Sequence, residues 1–266
     1  MKQNPLIYLI AAFGWTWSCW IGAYFISLTS GNSLVIEGTI FDLIGQFSVQ
    51  KALFPELLFA LGVYGPLIGF LLVDRGEKRP IRKTDANRLA AMAALLPLII
   101  GIPTVVVSLV LGYFNPGAGT PEMVLIGLYF ASNFITSGTE EFGWRGFLFP
   151  YLRQKEAGFW LATWKGGLIW AVWHYPLMVI LYISQGPWVM VPTLVGFTAG
   201  IVAMNYITNF IYEKTQSLPV VMGLHALNNT VNFAIMLFFP ATPLLFLTSL
   251  MAWVVVAYLD KNHHLA

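Results

Sequence analysis

The chain has 266 residues, of which 58% are hydrophobic and 10% are charged, and its formal net charge is only +2. Soluble domains carry about 25% charged residues, so this composition excludes a chain that is surrounded by water. Long apolar runs separated by short polar links, together with a mean hydropathy of +0.72, predict an all-α polytopic membrane protein.

Eight apolar segments are each close to the ~20 residues that a helix needs to cross the hydrocarbon core of a bilayer. We predict eight transmembrane helices that form a single integral-membrane domain over residues 1–266. The first run is too long for the apolar part of a signal peptide, so we interpret it as a retained span. The segments are 5–29, 56–73, 89–113, 122–150, 166–184, 188–212, 218–238 and 242–259.

Basic residues predict the orientation of these spans. The link between the second and third spans is rich in lysine and arginine, and the positive-inside rule places it in the cytoplasm. Alternation across eight spans then places both termini in the cytoplasm. Topology alone explains this link, so we expect contact with the lipid bilayer and no binding of nucleic acid. The short links favour the inner membrane of a bacterial cell. The basic residues of the link are Arg75, Lys78, Arg79, Arg82, Lys83 and Arg88.

Three charged residues interrupt the fourth predicted span: Glu140, Glu141 and Arg145. Ionised groups inside a membrane are expensive, and they usually face a partner or a wet cavity and mark function. Glu141 and Arg145 are four residues apart, so they can pair on one face of a helix. Glu140 is rotated by about 100° from Glu141 and can point elsewhere. An ion pair that only fixes helix packing is the alternative interpretation of Glu141 with Arg145.

Two of the four histidines also lie in apolar segments, in the fifth and seventh predicted spans. The predicted topology and the helical rise place Glu140, His174 and His225 roughly 15, 13 and 10 Å below the cytoplasmic face. We therefore predict that three helices bring these side chains together. Asn229 lies one turn beyond His225, and we expect Pro176 to kink the fifth span just past His174.

These residue types allow hydrolysis of a polarised carbonyl by two routes. A buried glutamate can act as a general base toward water, while histidine and asparagine donate hydrogen bonds to an oxyanion. Alternatively, Glu140, His174 and His225 match a catalytic zinc set with water in the open position. A buried proton relay, as in a transporter, and interhelical hydrogen bonds without catalysis remain open as further interpretations.

Three short motifs carry a resemblance to a known family. They are Glu-Glu-x-x-x-Arg at 140–145, an aromatic residue followed by x-x-x-His at 170–174, and His-x-x-x-Asn at 225–229. In this order they resemble the CAAX-protease and bacteriocin-processing (CPBP) family, which includes the Ras-converting enzyme and the bacterial Abi proteins. The resemblance covers about 122–240, the expected catalytic core. Trp170 stands where phenylalanine is commoner, and we expect this difference to alter packing only.

The resemblance implies an intramembrane endopeptidase with a conical cavity that opens to the cytoplasm. Carried over by position, Glu140 would activate the water that attacks the scissile carbonyl, and His174 would assist it as a hydrogen-bonding or metal-site residue. His225 and Asn229 would hold the oxyanion or complete the site. Asn228 and Asn232 lie close enough in sequence that their contribution stays open.

The resemblance also implies supporting residues, cofactors and substrates. Glu141 and Arg145 would position the helix that bears Glu140. The family is usually labelled metalloprotease, and a metal-free glutamate mechanism has also been argued for it, so zinc stays open. The substrate would be a peptide or membrane-associated protein, either prenylated or similar to a bacteriocin. The alternatives from other classes are a non-catalytic bacteriocin immunity or binding protein and a proton-coupled transporter.

Overall fold

The computed structural model describes residues 4–31, 34, 40–41, 54–73, 86–115, 120–240 and 242–262. All regular structure in these residues is helical, as the composition predicts. Short 3₁₀ turns precede α6, follow α9 and precede α12, and a π-helical turn separates α6 from α7. The helices are α1 (Pro5–Ser30), α2 (Phe54–Gly62), α3 (Gly65–Val73), α4 (Ala86–Val110), α5 (Thr120–Ile135), α6 (Glu140–Gly143), α7 (Phe149–Lys155), α8 (Phe159–Trp173), α9 (Tyr175–Tyr182), α10 (Pro187–Thr215), α11 (Leu218–Phe238) and α12 (Phe246–Asn262).

Five helical segments of the described part are long and apolar enough to cross a membrane: α1, α10, α11, Asn87–Val110 and Pro243–Asn262. Two bent pairs raise the number to seven if each pair is one span. The α2–α3 pair bends by 49°, and α8 with the segment Tyr175–Gln185 bends by 45°. A polytopic helical membrane protein is therefore confirmed, and the eighth span stays a prediction. Residues 74–85 of the basic link lie outside the described residues, so the orientation of the termini also stays a prediction.

The fourth predicted span is not one continuous helix, contrary to the expectation for 122–150. Helix α5 ends at Ile135, a 3₁₀ turn occupies Ser137–Thr139, and helical structure resumes at Glu140. Small hydroxyl residues explain the break, because their side chains compete for local hydrogen bonds. Thr136 Oγ1 donates to the Ser132 carbonyl and Thr139 Oγ1 donates to the Thr136 carbonyl. Glu140 thus stands at the start of a new helix rather than in the middle of one.

A close approach between α3 and α6 positions the segment that carries Glu140. A Cβ atom added at Gly143 would lie 2.5 Å from the Pro66 carbonyl oxygen and 2.6 Å from the hydroxyl of Tyr8. Glycine is the residue that fits here, because it has no Cβ atom that would collide with Pro66 and Tyr8. The rings of Tyr8 and Phe147 also pack against each other, with centroids 4.8 Å apart. Helices α1 and α3 therefore form the surface on which α6 lies.

The other side of the protein is a layer of long helices. Helix α10 packs between α8 and α12, and α11 packs against α4 and α5. Helix α1 is tied to α8 by two indole groups: Trp173 Nε1 donates to Thr16 Oγ1 (2.9 Å), and Trp17 Nε1 donates to the Trp173 carbonyl (3.0 Å). This arrangement brings α6, α8, α10 and α11 around one buried polar centre.

We expect Gly143→Ala to lower the free energy of unfolding by about 1–3 kcal/mol, because overpacking would push α6 away from Pro66 and Tyr8. The measurement is the thermal midpoint of the purified protein in detergent. Gly14→Ala on α1 is the matched control, since nothing lies within 4 Å of a Cβ at Gly14. Equal midpoints for the two variants would contradict the close packing at Gly143.

Candidate active site

Glu140 is the first residue of α6, and its side chain is only 2% exposed. Two buried indole groups donate to the same carboxylate oxygen, Oε2. The Trp144 Nε1–Oε2 distance is 3.0 Å, and the Trp170 Nε1–Oε2 distance is 3.2 Å. The other oxygen, Oε1, has no donor among the residues that the structure describes. One oxygen of Glu140 is thus fixed while the other remains available.

Glu141 and Arg145 form the ion pair that their spacing predicts. Arg145 Nη1 lies 3.1 Å from Glu141 Oε1 and 3.0 Å from Oε2, and both side chains are fully buried. A buried guanidinium needs hydrogen-bond acceptors for its remaining N–H groups. Asn209 Oδ1 accepts from Nε at 3.1 Å, and Asn205 Oδ1 accepts from Nη2 at 2.8 Å. The arginine is therefore held on three sides.

Asn205 and Asn209 are site residues that the sequence analysis missed. They lie one turn apart on α10, and each also donates to Thr163 on α8, to its carbonyl and its Oγ1 respectively. The available signal was the same as for His225 and Asn229: two polar side chains four residues apart in an apolar span. The two amides join Arg145 to α8 and α10, which fixes the helix that carries Glu140.

His225 contacts Glu141 directly, a partnership that the sequence analysis did not anticipate. Its Nδ1 lies 2.7 Å from Glu141 Oε1. Because a carboxylate oxygen only accepts, Nδ1 is the donor. The same carboxylate thus serves both Arg145 and His225, and it connects the segment of Glu140 to α11. The His225 ring also meets Trp170 edge to face, with centroids 5.3 Å apart.

His174 lies at the break between α8 and α9, where the predicted kink is confirmed as a 45° bend. Its backbone N–H donates to the Ala171 carbonyl at 3.0 Å, three residues back. The Trp170 carbonyl is therefore available, and Nδ1 of His174 donates to it at 2.9 Å. In the neutral ring, this bond leaves Nε2 as an acceptor.

Trp170 lies at the centre of these side chains. Besides its bond to Glu140, its ring lies 4.7 Å below the Arg145 guanidinium, within the range of a cation–π contact. Its ring centroid is 5.3 Å from that of His225 and 5.9 Å from that of His174. The expectation that Trp170 alters packing only is therefore wrong, because its N–H group is a hydrogen-bond donor to Glu140.

Asn229 lies one turn beyond His225 on α11 and is bonded to α5. Its Nδ2 donates to Asn133 Oδ1 at 3.0 Å. It also lines a cavity of about 200 Å³, together with Asn228, Asn232 and Ser249. Helices α4, α10, α11 and α12 bound this small cavity. The conical cavity that opens to the cytoplasm stays a prediction.

The candidate zinc ligands are Glu140, His174 and His225. Among the residues that the structure describes, no group of three His, Cys, Asp or Glu side chains is placed to hold a metal ion. Zinc binding stays a prediction from the sequence, and the reaction proposed for this protein uses only its own side chains.

Comparison with known proteins connects this geometry to a family. Residues 121–231 match the family model of type II CAAX prenyl endopeptidases, Rce1-like. The chain is also 23% identical over 194 residues to CAAX prenyl protease 2 of Methanococcus maripaludis. Over these residues the chain is similar to the CAAX-protease family. The alignment covers 67% of this chain and spans 64% of the length of the relative.

The region that matches the CAAX-protease model contains the two glutamates, both intramembrane histidines and Asn229. It also contains both tryptophans that bind Glu140 and the two asparagines that bind Arg145. The first two spans lie outside it, although Tyr8 and Pro66 pack against Gly143. The family likeness therefore covers the polar centre, while part of its supporting surface comes from α1 and α3.

We expect Arg145→Ala to lower the free energy of unfolding by about 3–5 kcal/mol, because Glu141 would lose its buried counter-ion. The thermal midpoint in detergent measures the effect. Lys165→Ala is the control, because Lys165 pairs with Glu156 at 2.7 Å but is half exposed. Such a surface pair contributes under about 1 kcal/mol. A similar loss in both variants would contradict a special role for the buried pair.

Proposed function

We propose that this protein is an intramembrane endopeptidase of the CAAX-protease type, in which Glu140 is the general base toward water. The observation that carries the proposal is the Glu140 carboxylate, buried and held through one oxygen by Trp144 and Trp170. The ring of Trp170 also contacts His174, at the end of α8, and His225, on α11. Residues 121–231, which include all of these side chains, match the family model. A positioned general base contributes about 10²–10⁴-fold to such a reaction.

In the proposed reaction, Glu140 takes a proton from water while the water oxygen attacks the scissile carbonyl carbon. The C–N bond then breaks as the proton passes from Glu140 to the leaving amine. His174 orients the water through Nε2, the ring nitrogen that is not bonded to the Trp170 carbonyl. This assignment follows the family resemblance and fits the acceptor character of Nε2 in the neutral ring.

His225 and Asn229 would stabilise the oxyanion that forms during the attack. In the doubly protonated ring, Nδ1 donates to Glu141 and Nε2 is the donor toward the oxyanion. Asn229 uses one N–H of its amide for Asn133, and the second N–H remains for the substrate. Donors aimed at developing charge in a water-poor site have large effects on rate.

The proposed substrate is a prenylated protein with a C-terminal CAAX sequence. This class comes from the name of the Methanococcus relative, CAAX prenyl protease 2, and from the family model. A lipidated substrate also fits a site in helices of membrane-spanning length, because its anchor shares the bilayer with the protein. A bacteriocin immunity protein and a proton-coupled transporter stay alternatives from the sequence. No contact among the described residues favours either of them.

We expect Glu140→Gln to lower kcat by about 10²–10⁴-fold, because the amide cannot take the proton from water. The assay follows cleavage of a fluorescence-quenched farnesylated CAAX peptide by the purified protein in proteoliposomes. Glu156→Gln is the control, since Glu156 pairs with Lys165 outside the polar centre. Full activity of Glu140→Gln would overturn the proposed mechanism.

The same preparation tests the metal-free version of the proposal. We expect less than one zinc ion per ten molecules by elemental analysis, and unchanged cleavage after treatment with a chelator. Stoichiometric zinc together with loss of activity on chelation would contradict the metal-free version and would leave the assignment of Glu140 to the site intact.

A further inference from the structure

We propose that Trp170, together with Trp144, positions the catalytic base by fixing one oxygen of Glu140, so that Oε1 is the atom that takes the proton from water. The inference rests on the proposed function and extends it. It assigns a role to Trp144, an unspecified position of the motifs, and to the indole N–H of Trp170, where the motif asks only for an aromatic ring. It also distinguishes the two oxygens of one carboxylate.

Both indole groups point at one oxygen of the carboxylate. Trp144 Nε1 and Trp170 Nε1 approach the same oxygen, Oε2, at 3.0 and 3.2 Å. A carboxylate oxygen has two lone pairs in its plane, so two donors occupy both. Indole nitrogen donates only and cannot exchange roles with the carboxylate. Oε1, with no donor among the described residues, is therefore the oxygen that can accept a proton.

Trp170 is itself held by several neighbours. The Arg145 guanidinium lies 4.7 Å above its ring, the His225 ring meets it edge to face, and its carbonyl accepts the bond from His174 Nδ1. Both tryptophan side chains are buried. A donor fixed from several sides loses little freedom when it binds the carboxylate, so it can orient the base before the substrate arrives.

Trp170 connects the base with both histidines. The base and both histidines contact one indole side chain or its carbonyl, although they come from three different segments. Removing the indole N–H of Trp170 alone would take away one of the two bonds that orient Glu140 and leave the histidines in place. The expected defect is therefore in the chemical step rather than in substrate binding.

The test replaces Trp170 by phenylalanine and, by amber suppression, by 3-benzothienylalanine, which keeps the bicyclic shape and lacks the N–H group. Trp144→Phe removes the second donor. Trp173→Phe is the matched control, because Trp173 is equally buried on the same helix and its Nε1 donates to Thr16 instead of Glu140. Cleavage of the farnesylated peptide is measured as kcat and KM, beside the thermal midpoint of each protein.

We expect both Trp170 replacements and Trp144→Phe to lower kcat by about tenfold with little change in KM, since each loses one hydrogen bond to a charged group. Trp173→Phe should lower the thermal midpoint and leave kcat within about twofold, which is under 0.5 kcal/mol.

Wild-type kcat with 3-benzothienylalanine at 170 would overturn the inference, because the indole N–H would then have no role. An equal fall of kcat in Trp173→Phe would also overturn it, because the effect would be general to the tryptophan shell. If Trp170→Phe fails to fold, the benzothienyl variant decides. An active Glu140→Gln protein would instead overturn the proposed function, so the two failures are distinguishable.

Discussion

The polar centre of this protein depends on one buried carboxylate, that of Glu141. It lies between the Arg145 guanidinium and the His225 ring, and both acid and arginine are withdrawn from solvent. A single buried charge of this kind would be very unfavourable, and a pair is tolerated only with good geometry and further hydrogen bonds. Asn205 and Asn209 supply those bonds to Arg145. Four helical segments are therefore fixed relative to one another by the need to neutralise one charge.

This network separates structural and chemical roles between adjacent glutamates. Glu141 uses both of its oxygens on Arg145 and His225, so its charge is committed to the fold. Glu140 has neutral partners only, two indole N–H groups on one oxygen. A carboxylate held by neutral donors keeps the capacity to accept a proton. The difference between the two residues lies in their surroundings, although they are neighbours in the chain.

The sequence predicts the local features of the site well and the contacts between helices less well. The Glu141–Arg145 pair follows from helical spacing, and the bend at His174 follows from Pro176, because both depend on a few neighbouring residues. The break at Ser137–Thr139 was missed, since three small residues, only two of them polar, barely alter the hydropathy of a long apolar run. The bond from Trp170 to Glu140 was missed because the direction of an indole group depends on how two helices pack.

The contacts of α1 and α3 have a consequence for the modular character of this protein. The family match begins at residue 121, yet Tyr8 packs against Phe147, Pro66 packs against Gly143, and Thr16 accepts the bond from Trp173. Excision of the matched stretch would expose these faces to lipid and leave the Trp173 indole without its acceptor. The matched stretch thus packs on surfaces that the first helices supply, so substitutions in α1 or α3 reach the polar centre from outside the matched residues.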